Sequence, residues 1–164
     1  MNMNTKFLAV SGIIAALYIA VTMIFAPLSF GAVQLRFSEM FNHLIVFSPK
    51  YGIGVVIGVF ISNWLFSSLG VADLIFGVGH TIITFVIALI IFKFVKNIWA
   101  RLVMNSLLFT TTMFIIAYEL NLVLELPFFA TWLYLAIGEF IVLAIGMPIM
   151  YTLNKRLSFE NMMK

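Results

Sequence analysis

The chain has 164 residues, 64% of them hydrophobic and 9% charged, with nine Lys and Arg against six Asp and Glu for a formal charge of +3. Its mean hydropathy is +1.18. Water-soluble domains carry about 25% charged residues, so the composition excludes one and predicts an integral membrane protein. Cysteine is absent, which removes disulfides, thiolate chemistry and cysteine metal sites.

Apolar runs occupy residues 7–26, 38–48, 52–69, 72–92, 102–122 and 128–151. About 20 helical residues cross a bilayer core of about 30 Å, and a chain in lipid must satisfy its own backbone. The alternating segments of a membrane barrel do not occur. The pattern predicts one all-α domain over 1–164, a compact six-helix bundle in which five runs span and the second is too short. The first run lacks the charged, apolar and cleavage regions of a signal peptide and reads as a retained helix. It carries Gly12, Ala16 and Ala20, and small residues four apart let another helix approach closely. That helix belongs either to the same bundle or to a partner membrane subunit.

The break at 27–37 contains Pro27, Ser29, Gly31 and Arg36 and is placed to fold over a cavity. In the second run Glu39, Asn42 and His43 stand at i, i+3 and i+4, one face of an α-helix. A short segment with that many polar groups belongs inside the bundle, facing a cavity. Glycines 52, 54 and 58 favour close packing of the third run, with Asn63 and Trp64 near its far end, and Asp73 follows the Leu69-Gly70 turn. On the fourth run Phe76, His80 and Thr84 share a face, and His80 is either a packing residue or a ligand contact. Tyr118 and Glu119 lie near the outer end of the fifth, where Tyr118 serves equally as a belt residue.

Glu139 is the sharpest single position. It lies about a third of the way into the last run with Gly138 beside it, where an unpaired carboxylate is costly. It calls for a cation, a proton or a ligand rich in hydrogen-bond donors, and Trp132, two turns earlier, offers a stacking plane for a ring. The histidines and carboxylates match no metal-ligand spacing, and the serines have no nucleophile-elbow context. No metal, cofactor or catalytic residue is expected, and no Gly-x-x-x-x-Gly-Lys-Ser/Thr loop is present, so any coupling to ATP needs another subunit.

Threaded as six crossings, the chain puts Lys6, Lys50, Lys93, Lys96, Arg101, Lys155, Arg156 and Lys164 on one side and Arg36 on the other. Positive charge stays cytoplasmic. The expectation is a multi-pass protein of the cell membrane with both termini inside, its basic clusters serving as topology anchors rather than as a nucleic-acid surface.

The stretch Ser29-Phe30-Gly31-Ala32-Val33-Gln34-Leu35-Arg36-Phe37-Ser38-Glu39 resembles the signature of the queuosine-precursor transporter family, substrate-binding (S) components of energy-coupling factor (ECF) transporters. Ser62-Asn63, Leu69-Gly70-Val71-Ala72-Asp73-Leu74-Ile75-Phe76-Gly77 and Ala136-Ile137-Gly138-Glu139 support the likeness, which runs over nearly the whole chain. The resemblance implies capture of a 7-deazaguanine outside the cell, by a subunit that joins a transmembrane scaffold and two cytoplasmic ATPases. Residues suited to such a ligand are Glu139 as its carboxylate anchor, Glu39 as the second choice, Trp132 or Trp64 as stacking partners and Asn63 as a polar reader. Arg36, Asn42, His80 and Tyr118 complete the candidate site, with Arg36 also placed to pair Glu39. Gly12, Ala16 and Ala20 become the docking face. Competing readings are an S component for another vitamin, a proton-coupled carrier relaying through Glu139, Glu39 and His80, and a membrane assembly protein whose buried charges pair helices.

Overall fold

A computed structural model describes residues 3–30 and 34–163, without the side chains of Met3 and Asn4. Gly31, Ala32 and Val33 of the motif, and Lys164 of the basic set, lie outside the described residues. The chain is helical throughout, with no strand among the described residues: α1 (Met3–Ile24), α2 (Ala26–Ser29), a 3₁₀ helix (Phe37–His43), α3 (Leu44–Phe47), α4 (Tyr51–Phe66), α5 (Val71–Phe92), α6 (Ile98–Thr112), α7 (Phe114–Leu124), α8 (Phe128–Leu157) and α9 (Phe159–Met162).

Six helices were therefore too few. The first run breaks at Phe25 before α2, whose Pro27 suits a first turn. The second run is a 3₁₀ helix continued by one α turn. The fifth breaks at Met113, where α6 gives way to α7. Four stretches are long and apolar enough to cross a membrane, Thr5–Ile24, Val71–Phe92, Ile98–Leu124 and Phe128–Leu157. The fifth expected span, α4, has 16 residues, about 24 Å at 1.5 Å per residue. It falls short of the full core thickness.

The helices are apolar on nearly all sides, because one face meets lipid and the other meets protein. On α1 the inward stripe is Val10, Ser11, Ile14, Ala15, Tyr18 and Thr22, the spacing of three and four that defines one face. It packs on α4. A Cβ built on Gly54 would stand 2.8 Å from the Ser11 carbonyl oxygen, and one on Gly58 2.7 Å from Tyr18 Cβ. Those glycines bring the two backbones together, and Tyr18 then lies fully buried. Gly70, at φ 59° and ψ −120°, turns the chain from α4 into α5 in a conformation that L side chains resist.

A main core gathers Tyr18, Leu44, Ile45, Val55, Phe109 and Leu143 among others, and a smaller one gathers Met113, Ile116, Ala117, Leu120 and Leu135 around the α6–α7 break. The 3₁₀ helix sits inside, against α8 and α1. Lys6 Nζ donates to the Asn161 carbonyl at 3.2 Å, Lys50 Nζ to Met163 at 2.8 Å and the Tyr51 hydroxyl to Phe159 at 2.9 Å. These bonds bring the start of α1, the start of α4 and the carboxyl-terminal α9 to one end of the bundle.

Candidate functional site

The polar residues of the apolar runs converge on the 3₁₀ helix. A 3₁₀ helix has three residues per turn, so Glu39 and Asn42 eclipse, and the Asn42 amide donates to Glu39 Oε2 in a short bond. His43, one residue further, is rotated away. Its expected place beside Glu39 and Asn42 rests on 3.6-residue geometry and is corrected here: the ring points to α8 and α6. His43 Nε2 lies 3.0 Å from the Leu143 carbonyl, to which it donates, and Asn105 Nδ2 approaches Nδ1 at 3.4 Å. A buried imidazole with both ring nitrogens engaged is a packing residue.

Glu39 is the hub. Its Oε1 accepts from the Tyr18 hydroxyl at 2.8 Å and faces Arg36 Nε at 3.6 Å. The guanidinium also donates through Nη2 to Asn63 Oδ1 at 2.6 Å, and Asn63 Nδ2 donates to the Asp73 carbonyl at 3.0 Å. Ser67 donates to the Asp73 carboxylate in a short bond, and Thr22 donates to Ser38 at 2.8 Å. Arg36 stacks over Phe30, 5.5 Å from the ring centroid. Gly77 makes room for the Asn63 amide, since a Cβ there would collide with Nδ2. The result is a network running from α1 through the 3₁₀ helix to α4 and α5, all of it buried except Ser67, which is half-buried.

Glu139 borders this network and joins none of its bonds. The residue is 0% exposed, about 16 Å along α8 from Phe128, and neither carboxylate oxygen has a hydrogen-bond partner. The charges of Glu39 and Arg36 act on it. Glu119 of α7 is likewise fully buried with both oxygens unbonded, within reach of Asp73 and Arg36. Asn42 Oδ1 and Ser62 Oγ also lack hydrogen-bond partners. Buried polar atoms are ordinarily bonded, and these carboxylates make the region the candidate site. Above Asp73 a cavity of about 260 Å³ opens between Phe30, Gln34, Ser68, Leu69, Asp73, Leu120, Leu124 and Leu126. The loop expected to cover a cavity thus supplies two of its walls.

Of the other candidates, His80 Nε2 lies 2.9 Å from Thr112 Oγ1, which also meets Thr84 Oγ1 at 2.9 Å, and the charges of Glu39 and Arg36 reach the ring. The structure does not bring the aromatic candidates to Glu139. Trp132 packs edge-on to Phe114 and tilted on Phe128, and its Nε1 donates to the Thr111 carbonyl at 3.1 Å, beside the α6–α7 break. Trp64 is 67% exposed and Tyr118 is 49% exposed, its ring edge-on to Phe76. Tyr18, Asp73 and Ser38 are site members that sequence spacing does not single out. Tyr18 is the detectable one, a phenol in the inward stripe of an apolar run. Gly12 and Ala16 are exposed and Ala20 half-buried, so the small-residue stripe stays on the outside of the bundle. No cluster of His, Asp and Glu suited to a metal occurs among the described residues.

The fold is that of an all-helical membrane protein with a buried polar centre and a cavity beside it, an arrangement compatible with small-molecule transport. Comparison with known proteins agrees: the family described as QueT transporter matches residues 8–155. The chain is also 39% identical over 157 residues, 90% of its length and 92% of the relative's, to the Queuosine precursor transporter QueT of Lactococcus lactis subsp. cremoris (strain MG1363). The chain belongs to the QueT transporter family. No solved structure matches it.

Proposed function

We propose that the chain is the substrate-binding component of an ECF-type transporter, capturing a 7-deazaguanine precursor of queuosine at the Glu39–Arg36–Glu139 centre. The observation that carries this reading is the fully buried Glu139 carboxylate with no donor on either oxygen. A deazaguanine offers a ring N–H beside an exocyclic amine, which one carboxylate accepts as a paired, charge-assisted contact. The name of the Lactococcus relative, a queuosine precursor transporter, supports the same ligand class. Asn63, Asn42 and Arg36 supply the remaining polar contacts, and Glu39 positions Arg36.

Charge refines the ligand. Four carboxyl groups, Glu39, Asp73, Glu119 and Glu139, share this buried region with the one guanidinium of Arg36, so precursors carrying an aliphatic amine able to pair with a carboxyl, the aminomethyl base and queuine, should bind more tightly than the cyano base. The ligand enters from the end opposite the termini, which are cytoplasmic, and the outward stripe of Gly12, Ala16 and Ala20 docks on the transmembrane scaffold that two ATPases drive.

The test is the thermal midpoint of the detergent-purified protein with a panel of 7-deazaguanines and unrelated vitamins, since a ligand bound only by the folded state raises it. The expected result is a rise with the amine-bearing deazaguanines and none in Glu139→Gln, which should keep the unliganded midpoint because the carboxyl it replaces makes no hydrogen bond. A rise with an unrelated vitamin alone, or one undiminished in Glu139→Gln, would overturn the assignment.

A further inference from the structure

At the end of the bundle that holds the termini, a cavity of about 510 Å³ is lined by Lys93, Lys96 and Arg101 together with Val46, Phe47 and Phe92. It shares Ile45, Pro49 and Leu89 with a second, almost wholly apolar groove of about 280 Å³ that runs between α4 and α5 past Gly52, Val56, Phe85 and Val86. Basic mouth and apolar groove are thus one continuous surface. Lys93 and Lys96 are exposed, and neither has an acidic partner among the described residues. Arg101 is fixed in place by donating from Nε to the Val95 carbonyl at 2.6 Å and from Nη2 to Phe92 at 2.8 Å, with its guanidinium over the Phe92 ring. The acid of this end, Glu160 on α9, is not part of the lining.

We infer that this surface is a binding site for an anionic phospholipid. The phosphate sits at Lys93, Lys96 and Arg101, and one acyl chain lies in the α4–α5 groove. Three observations select this occupant. The groove faces outward from transmembrane helices, where acyl chains are its natural contents. Three cations without countercharge meet it at one end only, matching the polarity of a lipid. Basic pockets at helix ends are the kind that hold acidic headgroups. Gly52 contributes by its missing side chain: a Cβ there would touch Phe85 and Ile45 at 3.4 and 3.6 Å and narrow the passage between mouth and groove. The lipid would also fill in beside α4, the helix too short to span the core alone.

The test is native mass spectrometry of the whole protein released from detergent, with phosphatidylglycerol or phosphatidylcholine added. Phosphatidylglycerol should be retained preferentially. The double variant Lys93→Gln/Lys96→Gln should weaken that retention roughly tenfold or more, at about 1 kcal/mol per cation near an acidic surface, and Val86→Trp, filling the groove, should weaken it with the lysines intact. Inorganic phosphate should not displace the lipid. Equal retention of the two lipids, or retention unchanged in the double variant, would overturn the site. Displacement by inorganic phosphate would replace it with a simple anion site. If the double variant keeps the lipid but loses a copurifying membrane subunit, the mouth is a protein contact and the lipid assignment falls. None of these outcomes depends on which heterocycle Glu139 accepts.

Discussion

Single atoms decide the chemistry of this protein. Arg36 is the one cation of the inner network and is held by Glu39 and Asn63 together, so its position is set before any ligand arrives. Asn63 in turn depends on a hydrogen atom at position 77. Gly77→Ala would push the Asn63 amide off both the Asp73 carbonyl and Arg36. Such overpacking costs typically 1–3 kcal/mol; the expected outcome is a lowered thermal midpoint together with a ligand-induced rise that is diminished or lost. A variant that binds as the wild type does would show that Asn63 adapts. For Glu139 the proposed role predicts a different outcome: Glu139→Gln should leave the empty protein intact, since neither carboxyl oxygen is bonded, and abolish the ligand-induced rise. The burial of Glu139 is legible from sequence alone, because a carboxylate lies deep in an apolar run. The aromatic partners are not legible in the same way: Trp132 has the right spacing from Glu139, yet its N–H donates to the Thr111 carbonyl at the α6–α7 break, and spacing along one helix says nothing about acceptors on a neighbouring one.

At the scale of elements, the apolar runs foretell where helices lie but not where they break. Hydropathy is blind to the difference between a continuous helix and two collinear ones, so the interruptions at Phe25 and Met113 leave no trace in it. The 3₁₀ geometry of 37–43 is hidden for a related reason: polar residues at i, i+3 and i+4 fit an α turn equally well, and only packing between α1 and α8 decides. Close approach is better encoded. The two small-residue stripes have distinct fates, Gly54 and Gly58 pressed against α1 and Gly12 and Ala16 left outward. Gly54→Ala should therefore lower the thermal midpoint, its Cβ lying within 2.8 Å of a backbone oxygen, by an amount equivalent to about 1–3 kcal/mol. Ala16→Leu should leave midpoint and ligand response intact while reducing copurification with the proposed scaffold subunit. Equal destabilisation by both would remove the distinction between an inner and an outer stripe.

For the whole molecule, the bonds of Lys6 and Lys50 to the carboxyl-terminal segment gather the ends of the chain with the basic side chains, and the site opens toward the other end near Asp73. The orientation proposed above, with cytoplasmic termini and an outward binding mouth, rests on the loop charges. The chain has no cysteine, so single introduced thiols report without background. A membrane-impermeant maleimide should label Glu125→Cys in intact cells and Lys96→Cys only after permeabilisation. The reverse pattern would invert the bundle and require ligand entry from the cytoplasm.

The bond from Trp132 to Thr111 has an optical consequence. It places an indole against the seam between α6 and α7, while His80 and Thr84 hold Thr112 from the inner side of the same seam. The chain has three tryptophans, so replacing Trp64 and Trp99 with phenylalanine leaves one fluorophore, seated where the buried polar centre is mechanically coupled to the periphery. Its emission should shift when filling of the site moves α6 against α8, because those are the two helices that the bond from indole to carbonyl joins. The protein then carries its own gauge of loading, readable without a label.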